Sequence, residues 1–368
     1  MPAKTYPLRI AFASLALVLA VLPAMAPAQT KDSELSLAQP LTLKWRYTTG
    51  QTTNFTPAQD GKTVFMPLAG GTLVALNVAD GTLRWRAEAG GEVSAAPAVD
   101  DQVVYVATEY SGVETNSIRG TLRALSKETG ITLWMRTLES PIRGSLAEGP
   151  LAVYAGAANG SVYAFDKHTG RSLWVNQYAD GFASQPTLYG DRLYIGSTSG
   201  WLLAIEQKNG KLVWSYRARG PIQGSIAVTP ASVFFGSGDG YVYAFNESKE
   251  KLRWKRRTGA GVQAVVASEN GLLASSLDNF AYFLSKKGAV LWRQLLPGRV
   301  PARPLTTTDG ALFTPLSTDI AIVLSLKNGK PLNTMPMGEE NSSSAAPVAA
   351  SGMLILTTPH GLLAFSAR

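Results

Sequence analysis

Residues 164–174 read Ala-Phe-Asp-Lys-His-Thr-Gly-Arg-Ser-Leu-Trp, and variants of this phrase return along the chain. The tryptophans that end the copies lie 40, 49, 40, 40, 40 and 38 residues apart, and Asn333 stands 41 residues after the last of them. A fixed period of about 40 residues is typical of propellers and other repeat arrays. Only Trp201, among the eight tryptophans, falls outside the series. The series consists of Trp45, Trp85, Trp134, Trp174, Trp214, Trp254 and Trp292.

Each copy of the phrase predicts a β-hairpin. Val, Tyr, Leu and Phe alternate with small or polar residues before the turn, which is the period of a strand. An Asp, Asn or Ser opens the turn by bonding its own backbone, and a glycine follows because it enters the left-handed conformation easily. Glu250 stands where the fifth such glycine should be. We therefore expect that turn to be strained or differently shaped.

A second signature, a proline slot, precedes each hairpin. Pro57, Pro97, Pro186 and Pro304 each lie 12 residues after the preceding tryptophan of the series, and a short strand such as 193–196 follows. A unit therefore holds four short strands separated by glycine-rich turns, which is the pattern of a propeller blade. The other units carry Leu146, Ile226, Val266 and a displaced Pro347 in this slot.

The number of units predicts an all-β fold, an eight-bladed β-propeller of four-stranded antiparallel blades. The strand around Trp45 precedes every other strand, and the last unit lacks a strand of that type. Pairing strand 41–48 with the sheet formed by 345–367 would close the ring and leave no open terminal edge. Seven blades with loose ends is the alternative. The third strands are expected at 72–77, 121–126, 161–166, 201–206, 241–246, 280–285, 320–325 and 361–366.

Composition excludes several classes of chemistry. The chain has 368 residues, 45% of them hydrophobic and 16% charged, with a formal net charge of +8. Because it contains no cysteine, it has no disulfide, thiol nucleophile or Cys-ligated metal. Its two histidines, His168 and His360, leave little for a His-based metal site or a catalytic triad, and both are expected in surface turns.

The N-terminal region has the features of an export signal. Lys4 and Arg9 precede an apolar run over 10–22, and Ala26-Pro27-Ala28 supplies a cleavage site. We expect a periplasmic or secreted protein with no membrane segment after cleavage; an uncleaved anchor is the alternative. The expected organisation is a signal peptide over 1–28, an N-terminal linker over 29–40 and the propeller over 41–368.

The phrase A-x-D-x-x-T-G-x-x-x-W, present at Ala164 to Trp174, resembles the tryptophan-docking motif of PQQ-like β-propeller repeats. The resemblance covers residues 41–368. Two families share this fold: quinoprotein dehydrogenases, which carry pyrroloquinoline quinone and calcium, and BamB-type outer-membrane assembly factors, which carry neither. Length, signal peptide and eight blades are more similar to BamB-type proteins, which are normally lipoproteins; this chain has no cysteine to carry the lipid.

We expect no catalytic residue, no metal and no cofactor. The dehydrogenases that the chain resembles have longer chains and a pair of adjacent cysteines. Calcium and hydride abstraction need converging carboxylates, whereas the recurring acids Asp80, Asp166 and Glu206 sit in turns where capping explains them. The seven tryptophans of the series are assigned to packing between blades.

Candidate interaction residues are expected where loops enter the first strand of each blade, around the mouth of the central pore. The arginines there would make the mouth positive and suit an acidic peptide, a lipid headgroup or a carboxylate. The insertion from Glu109 to Arg119, which lengthens one repeat, is a second candidate. The candidates are Arg143, Gln185, Gln223, Gln263, Arg299, Arg303, Glu109 and Tyr110.

Three functions stay open from the sequence. The first is a non-catalytic periplasmic scaffold that binds envelope proteins, including the outer-membrane assembly machinery, and acts as a monomer. The second is a secreted propeller that binds a glycan or small ligand in its pore, and the third is a quinone-binding oxidoreductase. Nucleic acid is not expected as a partner, because the basic run at 251–257 is a narrow outer strand whose charges discourage sheet-to-sheet aggregation.

Overall fold

The computed structural model describes residues 35–50, 53–111, 117–178 and 180–367. These residues form eight antiparallel sheets arranged as the blades of one ring, as predicted. The predicted signal peptide lies outside the described residues. The strands of the N-terminal half are β1 (Leu41–Thr48), β2 (Ala58–Gln59), β3 (Thr63–Leu68), β4 (Thr72–Asn77), β5 (Leu83–Glu88), β6 (Glu92–Val93), β7 (Ala98–Val99), β8 (Val103–Ser111), β9 (Ile118–Ser126), β10 (Thr132–Leu138), β11 (Ala147–Glu148), β12 (Ala152–Gly156), β13 (Ser161–Asp166), β14 (Ser172–Gln177), β15 (Thr187–Tyr189), β16 (Arg192–Gly196), β17 (Trp201–Glu206) and β18 (Leu212–Arg217).

The C-terminal half continues the same pattern. A single 3-10 turn, Ala69–Gly71, is the helical element of the described chain, and no helix there is long and apolar enough to cross a bilayer. The remaining strands are β19 (Ile226–Thr229), β20 (Ser232–Gly236), β21 (Tyr241–Asn246), β22 (Leu252–Arg257), β23 (Val262–Ala267), β24 (Leu272–Ser276), β25 (Phe280–Leu284), β26 (Val290–Leu295), β27 (Leu305–Thr306), β28 (Gly310–Phe313), β29 (Ile320–Ser325), β30 (Pro331–Pro336), β31 (Val348–Ala350), β32 (Met353–Thr358) and β33 (Gly361–Ala367).

Six blades are runs of four consecutive strands, from the innermost strand to the outermost. We number the blades 1 to 8 along the chain, starting with β2–β5. Blade 2 has a fifth strand, because β6 and β7 both pair with β8. Blade 8 combines β31, β32 and β33 with the N-terminal β1, which pairs antiparallel to β33 from Leu41 opposite Ala367 to Thr48 opposite Gly361. The predicted closure is therefore confirmed, and the seven-bladed alternative is excluded.

Burial follows the radial order of the strands. The second strand of a blade is covered on both faces by neighbouring blades, so that β3, β12 and β20 are buried at every residue. The fourth strand lies on the outer wall, and in β14 only Trp174 is buried. Continuous apolar runs in the inner strands and alternation in the outer strand are the sequence patterns that these two environments favour.

The tryptophans of the series lie between blades. Six of the seven donate the indole Nε1–H to a backbone carbonyl in the turn of the following unit, at 2.8–3.0 Å. A glycine in the left-handed conformation packs under each of these six indoles, and a Cβ at that glycine would stand 2.5–2.7 Å from a ring atom. The glycine is thus required by its backbone angle and by its close approach to the ring.

The eighth tryptophan position holds Asn333, and a different contact replaces docking there. Its Nδ2 donates to the carbonyl of Gln39 at 2.9 Å. Leu35 and Leu37, within the segment expected to be a linker, are buried in the apolar cluster between blades 7 and 8. Asn333 therefore anchors the chain as it enters β1.

Candidate functional site

The loops that join one blade to the next share one end of the ring with the hairpin loops between the second and third strands. Phe182, which leads from blade 3 into blade 4, donates its backbone N–H to Ala157 O at 3.1 Å. The same contact recurs one blade on, where Ile222 N donates to Ser197 O at 2.9 Å. This end of the ring, which we call the loop face, carries most of the predicted interaction residues.

The predicted interaction residues differ in accessibility. Gln185, Gln223 and Arg299 are exposed on the loop face, whereas Gln263 and Arg303 are partly buried. Burial lowers the pKa of Arg303, and no acid of the described chain opposes that effect. The arginines of the loop face therefore differ in their access to solvent: Arg299 is exposed, and Arg303 is partly buried.

The insertion in blade 2 is a long hairpin. β8 and β9 extend past the ring, and β6 pairs with the extension, with Glu92 opposite Glu109. Arg143 Nη2 lies 2.5 Å from Glu109 Oε2, so that this predicted arginine is neutralised by a predicted acid of the insertion. A cavity of about 330 Å³ lies beside the pair. Its lining residues are Gly70, Gly91, Glu92, Glu109, Tyr110, Ser111 and Ile118.

An apolar groove of about 160 Å³ opens between blades 3 and 4. The loop after β14 forms one wall with Tyr178 and Phe182, whose rings meet edge-on with centroids 6.2 Å apart. Trp201, at the start of β17, and Leu212 on β18 belong to the other wall. The full lining consists of Tyr178, Asp180, Phe182, Ser197, Trp201, Leu203, Leu212 and Ser215.

Polar contacts fix the shape of this groove, which we call the Trp201 groove. Trp201 N donates to Ser197 Oγ at 2.9 Å, and the Arg217 guanidinium lies 5.5 Å from the centre of the Trp201 ring. Asp180 accepts a hydrogen bond from Ser199 Oγ. Trp201 is partly exposed, and its Nε1–H has no acceptor among the residues described. A partly exposed indole with a free donor is typical of protein interfaces.

Sequence reasoning did not include Trp201 among the candidate site residues. The signal was present, because this is the tryptophan that falls outside the 40-residue series. A tryptophan that the repeat does not require needs another explanation, and the groove supplies one.

The recurring acids act as turn caps. Asp166 Oδ1 accepts hydrogen bonds from the backbone N–H of His168 and Thr169, and Asp80 Oδ1 does the same for Thr82. The hydroxyl and backbone N–H of Thr169, in that order, lower the pKa of Asp166. Each carboxylate is thus satisfied within its own turn.

Another acid is held in a network between blades 2 and 3. Asp100 accepts hydrogen bonds from Gln102 N, Val103 N and the Tyr105 hydroxyl at 2.7–2.8 Å, and Lys167 Nζ lies 3.6 Å away. Burial by itself would raise the pKa of Asp100, but these donors outweigh it and lower the pKa below the usual 3.8. Lys167 also bonds Glu148 at 2.9 Å, so that the network joins two blades.

The carboxylate and imidazole groups of the described residues do not form a site for a calcium ion of the kind expected in quinoproteins of this fold. Within the described ranges, no group of three or more His, Cys, Asp or Glu side chains converges to hold a metal. His360 is exposed and bonds Glu339 at 2.7 Å, and His168 is exposed in its turn.

The basic run lies on β22, the outer strand of blade 5. Arg256 Nε donates to Gly288 O at 2.7 Å, Arg253 to Ser232 Oγ at 2.6 Å, and Lys255 Nζ lies 4.8 Å from the Tyr241 ring centre. Three of these cations are thus used within the propeller wall.

Comparison with known proteins identifies relatives. The family model described as "Outer membrane protein assembly factor BamB" matches four overlapping stretches, residues 31–158, 112–226, 158–285 and 218–368. The protein of that name from Shewanella oneidensis is 36% identical over 86 residues. That match spans 23% of this chain and 20% of the Shewanella protein.

Solved structures share the fold. BamB from Moraxella catarrhalis has a TM-score of 0.75 at 17% identity, covering 89% of this chain and 98% of that one. The computationally designed Ika8 protein has a TM-score of 0.74 at 16% identity, covering 90% and 100%. The quinohemoprotein alcohol dehydrogenase ADHIIG from Pseudomonas putida has a TM-score of 0.71 at 14% identity, covering 92% and 77%. At these identities the likeness extends to the eight-bladed fold alone.

Proposed function

This chain belongs to the family of the outer membrane protein assembly factor BamB, and on that premise we propose that it is a non-catalytic scaffold for outer-membrane protein assembly. It would act on the periplasmic side of the envelope as a monomer and bind protein partners there. The observation that carries the proposal is the family match, which extends over the whole propeller rather than over one blade.

The Trp201 groove is the surface that we assign to the partner. Its walls are almost wholly apolar, and Asp180 is the one acidic residue of its lining. An apolar side chain followed by a lysine or arginine would therefore match it, since the cation would meet Asp180 as the apolar group covers Trp201. The occupant we propose is a loop of an envelope assembly protein with that pair of side chains.

We propose that this function needs neither pyrroloquinoline quinone nor calcium. The lack of cysteine in the sequence and the lack of a converging acidic cluster in the described residues support this. Addition of the quinone with calcium should therefore give no change in absorbance and no dye reduction, and either signal would contradict the proposal.

The test is affinity capture of the full chain from detergent-solubilised envelope, with mass-spectrometric identification of retained proteins. A component of the barrel-assembly machinery should be retained. Failure to retain any such component would contradict the assembly role.

Substitution in the groove then tests the surface. Trp201→Ala should weaken partner binding by about 30-fold or more, as expected for an interface hot spot, and lower the retained amount accordingly. Leu151→Ala is the matched control, because Leu151 is 76% exposed and lies outside the groove. Equal retention by Trp201→Ala and the wild type would leave the assembly role standing but would exclude the groove as its surface.

A further inference from the structure

Arg303 lies next to the axis of the ring and has no ion-pair or hydrogen-bond partner among the described residues. It precedes β27, the innermost strand of blade 7, and its neighbours Ala302 and Pro304 are both buried. Its side chain keeps partial exposure, although burial alone lowers its pKa. A guanidinium that is largely surrounded by protein and lacks a counter-ion favours an anion beside it.

A second unpartnered group, Thr314, directly follows β28, the strand that pairs with β27. The β27–β28 pairing places Leu305 opposite Leu312 and Thr306 opposite Ala311. Extended by two residues beyond the paired strands, this register would bring Arg303 opposite Thr314. The Thr314 side chain is buried, with 3% exposure for the residue, and among the described residues its Oγ1 has no hydrogen-bond partner. The two groups therefore offer a charged planar donor and a free hydroxyl at one place.

The equivalent positions of the other blades carry no charge. The residue before the proline slot is neutral in all seven other blades, so that Arg303 is a single cation at this level of the axis. Of the other arginines predicted at the mouth, Arg143 is paired with Glu109 and Arg299 is exposed. One unpaired cation matches a singly charged anion better than a doubly charged one. The neutral residues are Thr56, Ala96, Ser145, Gln185, Ser225, Val265 and Ala346.

We propose that Arg303 and Thr314 form an anion site at the axis of the propeller that binds the carboxylate group of a ligand. The guanidinium donates two parallel N–H···O bonds to the carboxylate, and the Thr314 hydroxyl donates a third. The site is separate from the Trp201 groove and does not depend on the assembly role. A small carboxylic acid and the C-terminal carboxylate of a peptide have the same chemistry, and the experiment distinguishes them.

The experiment uses the full chain, with thermal unfolding and calorimetric titration as measurements. Sodium acetate is compared with sodium chloride at equal ionic strength, and glycylglycine with its amide. Acetate should raise the unfolding temperature above the chloride value. If the site accepts a peptide terminus, glycylglycine should also raise the unfolding temperature, whereas its amide should not. If acetate binds and glycylglycine does not, the site is assigned to small carboxylic acids.

Variants assign the effect to the two residues. Arg303→Met should weaken acetate binding by roughly tenfold or more, because a charge-assisted bond is lost. Thr314→Val should weaken it less. Arg171→Gln, which removes an exposed arginine from an outer turn, should bind as the wild type does. If Arg303→Met fails to fold, Arg303→Lys, which keeps the charge without the planar fork, should still weaken binding.

Three outcomes would overturn the proposal. The first is an equal effect of acetate and chloride on the wild type. The second is undiminished acetate binding by the Arg303 variants. The third is tighter binding of inorganic phosphate than of acetate, which would exclude a carboxylate as the preferred class.

Discussion

The indole Nε1 of Trp214 has no acceptor in the described part of the chain, and the turn position that glycine fills under the six other indoles of the series is held here by Glu250. Glu250 has φ 55, in the left-handed region that favours glycine. A Cβ at the equivalent Gly210 would stand 2.6 Å from the Trp174 ring, so that the Cβ of Glu250 leaves no room for the usual docking. The irregular turn expected at Glu250 and the missing bond of Trp214 thus have one cause.

Glu250→Gly should stabilise the protein by about 1 kcal/mol, because it removes the left-handed strain and lets Trp214 dock. The ion pair with Arg192, at 3.2 Å and partly exposed, is lost but contributes little. Urea denaturation measures the change. Glu250→Ala removes the same ion pair and keeps the Cβ, so that an equal gain from both variants would refute this account.

Trp292→Phe should cost about 1 kcal/mol more than Trp214→Phe. The two tryptophans are matched, since Trp292 stacks on Phe283 with centroids 5.4 Å apart and Trp214 on Phe245 at 5.5 Å. Only Trp292 donates to a carbonyl, that of Leu326 at 2.9 Å. The difference in free energy of unfolding therefore isolates the indole bond, and equal losses would argue against its importance.

Gly170→Ala should destabilise the protein more than Gly190→Ala does. Both glycines have positive φ, 67 and 58, so that both substitutions carry the same backbone strain of about 1 kcal/mol. A Cβ at Gly170 would lie 2.5 Å from the Trp134 ring, whereas a Cβ at Gly190 meets nothing within 4 Å. Overpacking should add about 1–3 kcal/mol to Gly170→Ala. Chemical denaturation compares the two, and similar losses would show that the ring moves freely.

Asp100 should make the free energy of unfolding depend on pH in the acidic range. Because its folded pKa lies below the usual 3.8, the stability it contributes is complete above that value and is lost as the pH falls through the folded pKa. Unfolding midpoints in urea between pH 7 and pH 2 should therefore drop less steeply below about pH 4 in Asp100→Asn than in the wild type. Tyr105→Phe, which removes one donor to this carboxylate, should lie between them. Parallel curves for all three proteins would contradict this role.

The fold was predictable because each blade repeats the same short-range sequence features. The hairpin before Trp174 contains its strand alternation, its turn cap at Asp166 and its left-handed Gly170 within a few residues, so that local sequence suffices. The pairing of Glu92 with the extension of β8 was not predicted. It depends on an insertion that occurs once, and no repeat could reveal its partner.

The site was predictable only in part. Loop position indicated Arg143 and Arg303, and the insertion indicated Glu109, but their environments depend on neighbours distant in sequence. The pairing of Arg143 with Glu109 and the isolation of Arg303 require knowledge of which loops meet. Trp201 differed visibly from the repeat, yet the groove beside it depends on Phe182 from the preceding loop.

Because β1 pairs with β33, the first strand of the described chain can pair only after the last described strand has been synthesised. Until Leu363 has left the ribosome, the edge that will receive Arg46 does not exist, and the outer edge of the growing chain stays open to any extended segment. During folding, closure of the ring therefore competes with pairing of the open edge to an extended segment of another chain. The pairing of β1 with β33 covers this open edge in one late step, so that protection against aggregation does not build up gradually as each blade forms.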